Sequence, residues 1–159
     1  MGRFLALEGG DIVMIAGLLS LFGNEEREMG FRAVLGERYP TCGVVLVLES
    51  QEHSEQAGDL VRKALLRNPA IKGVYSVSSG AAAVVAALKA LHRQDVVSIT
   101  HELTPDRRDL LRQGRIDAVI DQNPSSEVRV TIETFAPPRR TPRRSLDKYD
   151  NADPHSHDR

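Results

Sequence analysis

Residues 73–102, GVYSVSSGAAAVVAALKALHRQDVVSITHE, constrain the fold more than any other stretch of this sequence. GVYSV is a short apolar run, and Ser78-Ser79-Gly80 supplies turn chemistry after it. From Ala81 to Leu91, Val84, Ala87, Leu88 and Leu91 recur at i, i+3, i+4 and i+7, the pattern of one buried helical stripe. DVVSIT is a second apolar run and delivers His101-Glu102 where it ends. A strand-helix-strand connection of this size makes its strands parallel with a right-handed crossover. Both loops then fall on the carboxyl edge of the sheet, where open α/β sheets bind ligands.

The rest of the chain repeats this alternation. MGRFLALEGG reads as the last turn of a helix with a Gly-Gly stop, an opening that points to something larger upstream. DIVMIA is the first strand and Gly17 to Gly23 the loop after it. Asn24 is the expected N-cap of the next helix, with Glu25 and Glu26 in its first turn and Phe31, Val34 and Leu35 on its buried face. GVVLVLE, Gly43 to Glu49, is apolar on both faces, as a central parallel strand would be. Ser54 to Arg67 is a helix with the stripe Ala57, Leu60, Val61, Ala64, Leu65, ended by Asn68-Pro69. After the central unit, Thr104 caps a short helix with Pro105 at its first position, Leu110 and Leu111 pack it, and Gly114 stops it. Ile116 to Ile120 is the fifth strand, followed by Asp121-Gln122-Asn123-Pro124, and Glu127 to Phe135 an amphipathic turn or two. The expected architecture is α/β, a doubly wound parallel sheet of five strands in the order 2-1-3-4-5.

Composition sets the limits of function. The 159 residues suffice for one domain with a real core, and with 41% apolar and 27% charged residues the balance is globular. A net charge of −1 gives no whole-chain electrostatic case for nucleic acid. The single cysteine, Cys42, excludes an internal disulfide framework and a cysteine metal cluster, and reads as a small packed residue. Ile12 to Phe22 is too short to span a bilayer and lacks a cleavage site, so no membrane segment is expected and the chain reads as cytoplasmic. From Pro137 the pattern changes. Residues 137–159 carry Pro137, Pro138 and Pro142, charges in blocks and no apolar period, and are expected to be a disordered tail after a domain of residues 1–136.

The expected strand order gathers Arg27, Ser78-Ser79-Gly80, His101-Glu102 and Asp121-Gln122-Asn123 at the carboxyl edge. Arg27 offers planar donors, Glu102 two acceptors and Gln122 both, a mixture that suits adjacent hydroxyls of a polyhydroxy ligand. The plainer alternative is that these are ordinary polar loop residues. Ser78 to Ala81 precedes a helix N-terminus and suits a phosphate, but neither G-x-G-x-x-G nor a Walker A lysine is present. VSSGA is not a G-x-S-x-G nucleophile elbow. His101 beside Glu102 has poor geometry for a dyad, because successive residues leaving a strand point apart. His155 and His157 near Asp153, and the run Arg139, Arg140, Arg143, Arg144, read as features of a solvated tail rather than a metal or DNA site. No cofactor is expected.

Arg27 with Gly30-Phe31 after it, IKGVYSVSSGAAAVVAAL, VVSITHELT and IDAVIDQNP together resemble the sugar-binding domain of lactose-repressor-type (LacI/GalR) transcriptional regulators, which has the periplasmic-binding-protein type I fold. The resemblance covers about residues 1–134 and rests on element order more than on one motif. It implies one lobe, the C-terminal one, of a two-lobed domain that closes on a small molecule, usually a sugar, with Met1 internal to the family pattern. It implies no catalysis, a homodimer in the full-length family, and DNA binding only through a helix-turn-helix outside this sequence. By position it implies ligand contacts at Arg27, Glu102 (Asp in many relatives) and Gln122, and in the loop Ser78, Ser79, Gly80, where relatives often have Asn. The same lobe also occurs in transporter solute-binding proteins. A small Rossmann-like phosphate- or nucleotide-binding enzyme is the alternative from another class.

Overall fold

A computed structural model describes residues 1–5, 8–20 and 22–135. Two compact units divide the chain, Met1–Gln122 and a second that begins at Asn123. The first holds α1 (Gly2–Leu5), β1 (Gly10–Ala16), α2 (Phe22–Arg38), β2 (Cys42–Glu49), α3 (Ser54–Arg67), β3 (Ile71–Ser76), α4 (Ala81–Ala90), β4 (Val97–His101), α5 (Pro105–Arg112) and β5 (Ala118–Ile120). The described part of the second is α6 (Pro124–Phe135), a longer helix than the turn or two expected there, with Val128, Val130 and Ile132 exposed. The expected tail, residues 137–159, lies outside the described residues.

All five strands are parallel, in the order β2-β1-β3-β4-β5. β1 lies beside β2 and β3, and its alternating side chains build both halves of the core. Val13 and Ile15 join Val61, Leu65, Val74, Val84 and Leu88, so α3 and α4 cover that face. Met14 and Ala16 join Tyr75, Val77 and Ile99, with Phe31 of α2 packed against them. Ile12 continues this layer with Leu5, Leu35 and Cys42, which places Cys42 as packing, as its surroundings in the sequence suggest. Each such buried aliphatic side chain stabilises the fold by about 1.5–3 kcal/mol.

Several local expectations need correction. β2 is an edge strand, and Val45 and Leu46 are exposed although the run is apolar on both sides. Helix α2 begins at Phe22, so Asn24 lies inside its first turn, and Val34 faces outward while Leu35 is buried. α5 buries no residue completely, with Leu110 half-buried and Leu111 exposed, because β5 is a three-residue edge strand that offers it little surface. In the opening segment Gly9, at φ 68, donates its N–H to the Leu5 carbonyl at 2.7 Å. No helix of the described residues is long and apolar enough to cross a membrane.

Candidate functional site

Parallel strands bring their C-terminal loops to one edge, and a cavity of about 280 Å³ opens among them. Its lining comes from α2 (Asn24, Arg27), the β2–α3 loop (Glu52), the β3–α4 loop (Val77, Ser78, Ser79), the end of β4 (His101, Glu102) and α5 (Arg107). Of the residues expected from the sequence, Arg27, Ser78, Ser79 and Glu102 meet here. Gln122 does not line the cavity; it is half-buried after β5, at the end of the first unit.

Each lining group is held by its neighbours. Asn24 donates from Nδ2 to the Leu18 carbonyl at 2.8 Å and accepts from Arg27 Nη1 at 3.2 Å, so an asparagine inside the helix anchors both loop and guanidinium. Arg107, whose side chain is only 12% exposed, donates through Nη2 to the Ser78 carbonyl at 3.1 Å. Its Nη1 lies 3.3 Å from the Glu102 carbonyl and 3.4 Å from Glu102 Oε2, joining the β3 and β4 loops. Thr104 caps α5 by accepting from the Arg107 N–H, which sets where this arginine starts. Ser79 Oγ donates to the Glu52 carbonyl at 2.9 Å and lies 3.5 Å from Glu52 Oε2. The Glu52 carboxylate occupies the space beside Gly17, where any Cβ would overlap it.

Two of these acids stand on unusual backbone. Glu52 has φ 60 and Glu102 φ 62, in the left-handed region that non-glycine residues occupy at a cost of about 1–3 kcal/mol. Strain of this kind is retained where surrounding structure fixes it, and both acids open onto the cavity. Gly80, at φ 107, begins α4, and a Cβ there would lie 2.7 Å from Ala57 Cβ.

An aromatic row runs from the core to the cavity. The Phe31 and Tyr75 ring centroids are 4.5 Å apart, and those of Tyr75 and His101 5.4 Å. The Tyr75 hydroxyl is hydrogen-bonded to His101 Nε2, while His101 Nδ1 is buried and without a partner among the described residues. Burial pushes the Tyr75 phenol up to about 12, against the nearby Arg27 charge. Burial, then Arg27, lowers the His101 pKa, with Arg107 acting the same way and Glu102 opposing, so the imidazole is neutral at pH 7. With neutral His101, two arginines and two glutamates leave the lining with no net formal charge.

Sequence reasoning placed His101 at this edge without giving it a ligand contact, and it missed Asn24 as an anchor, Glu52 and Arg107. Arg107 had a signal in TPDRR, a capped helix starting just after Glu102; Glu52, in the plain polar string SQEHS, had none. Among the described residues no group of three or more His, Cys, Asp or Glu is arranged to hold a metal ion. His155 and His157 lie outside the described residues.

Comparison with solved structures returns the same architecture. An ABC transporter periplasmic solute binding protein from Actinobacillus succinogenes 130z with bound D-allose superposes with a TM-score of 0.75 at 22% identity, over 84% of this chain and 47% of that one. GanP, a glucose-galactose binding protein from Geobacillus stearothermophilus, gives 0.74 at 22% identity, over 84% and 49%. A carbohydrate transporter solute binding protein from Agrobacterium radiobacter in complex with D-arabinose gives 0.73 at 23%, over 84% and 46%. The chain thus spans about half the length of these structures. The family model described as a periplasmic binding protein domain matches residues 1–136, and with this five-stranded parallel lobe the chain belongs to that family.

Proposed function

We propose that this chain supplies one lobe of a binding site for a monosaccharide, in a two-lobed protein of the solute-binding type that serves ABC transporters. The observation that carries the reading is the charge-balanced cavity in which Arg27, Glu52, Ser79, Glu102 and Arg107 converge. Planar guanidinium donors and carboxylate acceptors are the groups that pair with adjacent sugar hydroxyls. An anionic ligand fits less well. The α4 N-terminus that would attract a phosphate has Ser79 beside it already donating to Glu52, whose own carboxylate lies 3.5 Å from the Ser79 hydroxyl. That speaks against the nucleotide-binding enzyme alternative and for binding without catalysis.

The solved structures named above support the transport branch over the regulator branch to which the sequence motifs first pointed. A repressor lobe would use the same cavity, and its dimer partner, operator DNA and cytoplasmic setting belong to that second reading. The family motif around Arg27 and Glu102 favours it as much as transport. The test of the shared claim is calorimetry of the chain against D-allose, D-arabinose, D-glucose, inorganic phosphate and ATP. Neutral sugars are expected to bind, with Arg27→Ala and Glu102→Gln abolishing the heat. Tight binding of ATP or phosphate, insensitive to Glu102→Gln, would overturn it.

A further inference from the structure

The Tyr75–His101 pair is not among the groups the proposed sugar contacts require, yet it leaves one buried hydrogen-bonding atom, His101 Nδ1, without a partner among the described residues on a side chain that lines the same cavity. His101 lines the cavity next to Glu102 and is only 7% exposed. Its Nε2 is engaged by Tyr75, whose hydroxyl is buried and has no other partner among the described residues. A phenol that stays protonated must place its proton somewhere, and the burial that raises the Tyr75 pKa keeps it protonated at neutral pH. Donation to Nε2 gives that proton its one acceptor among the described residues, which favours this direction. A neutral imidazole that accepts at Nε2 carries its proton on Nδ1, so the unpartnered atom is an N–H donor. A buried donor left unpaired is destabilising, a cost that an incoming acceptor removes. Ser76 Oγ is the other buried unpartnered atom among the described residues, but Ser76 does not line this cavity.

We propose that His101 Nδ1–H is a specificity-determining donor to a sugar oxygen, with Tyr75 as the positioning residue that fixes its tautomer. The proposal rests on the sugar-site reading above and adds to it a donor that the edge loops do not provide. It selects for an oxygen that can accept at that point. A sugar epimer presenting no oxygen there leaves the donor unpaired and binds more weakly.

The experiment is a long-range proton–nitrogen NMR correlation of the imidazoles of the full 15N-labelled chain, with His101→Gln used to assign the signal. Spectra are recorded free and with D-allose or D-arabinose at concentrations that move the backbone amides of Arg27 and Glu102. The expected free state is the Nδ1–H tautomer, and the sugar is expected to shift Nδ1 more than Nε2. In Tyr75→Phe, which keeps the ring against Phe31, the tautomer preference is expected to be lost and the same sugars to bind about three- to tenfold more weakly. An Nε2–H tautomer in the free chain overturns the proposal. So does an unmoved Nδ1 signal while Arg27 and Glu102 respond, a result that leaves the sugar site standing. If no sugar moves any cavity residue, the site reading itself fails and this inference fails with it.

Discussion

Arg107 shows how much of the site depends on one side chain that contacts two loops. It pairs with Glu102 at 3.4 Å and donates to the Ser78 carbonyl at 3.1 Å, from a position that is largely shielded. Arg107→Ala is expected to loosen both loops and weaken sugar binding about tenfold, while the melting temperature falls only slightly, because Glu102 is itself 62% exposed. Binding and melting measured on the same sample check that split. His101 makes a different prediction. Its folded pKa lies below the ordinary 6.5 through burial first, then Arg27 and Arg107, with Glu102 opposing, and with Tyr75 at Nε2. The unfolded chain then binds more protons between the folded pKa and 6.5, so this residue's contribution to stability is complete above 6.5 and is lost as pH falls through that window. The urea midpoint of wild type is expected to drop over that range more steeply than that of His101→Gln; parallel curves would contradict the assignment. At this scale Ser78, Ser79 and Glu102 could be placed at the edge because strand ends announce a loop, while Arg27, inside α2, was placed by the family resemblance. His101 was placed at the edge but set aside as half of a dyad with Glu102. Glu102 at φ 62 turns the chain there, and both side chains line the cavity without bonding to each other.

Among the elements, α3 and α4 pack closely enough for single atoms to decide the outcome. A Cβ on Gly58 would lie 2.8 Å from the Ala83 carbonyl oxygen and 3.0 Å from its carbon. Gly→Ala in a helix normally gains about 1 kcal/mol of propensity. Here the obstacle is backbone that cannot swing aside, and overpacking of this kind costs about 1–3 kcal/mol. Gly58→Ala is therefore expected to lower the melting temperature; a rise would mean the two helices can separate freely. The stripes of α3 and α4 were readable because both helices bury one face against the sheet, as Ala57, Val61, Ala64, Leu65, Val84, Ala87 and Leu88 do. The exposure of β2 was not readable from the run itself, although the expected order already puts strand 2 at the edge. An apolar run looks the same in a central strand and at an edge, and only the pairing partners, β1 alone for β2, distinguish them. The start of α2 was misplaced for a related reason. Asn24 has the chemistry of a cap, yet its side chain spans from the Leu18 carbonyl to Arg27 from inside the first turn.

For the whole molecule, the alternation of apolar runs and helical stripes determined the strand order, since right-handed crossovers leave few arrangements. The ligand could not be read with the same certainty, because cavity chemistry depends on residues from five separate segments. Affinity follows from how much of a site one lobe provides. A site of about micromolar affinity corresponds to roughly 8 kcal/mol. Hydrogen bonds to charged groups such as Arg27 and Glu102 contribute about 1.5–3 kcal/mol each. The entropic cost of capturing the ligand is not halved with the site, and water keeps access to each group. Sugar binding by this chain alone is therefore expected at about millimolar or weaker; low-micromolar binding by calorimetry would mean the site is complete within it. The most direct test of where the ligand sits is backbone amide shift mapping with D-allose. The predicted result is a contiguous set of perturbed amides at the carboxyl edge, around Arg27, Ser78, Ser79, Glu102 and Arg107. Perturbations confined to the apolar recess of Val45, Leu60 and Ile71, or to the recess of Val85, Gly114 and Asp117, would contradict it.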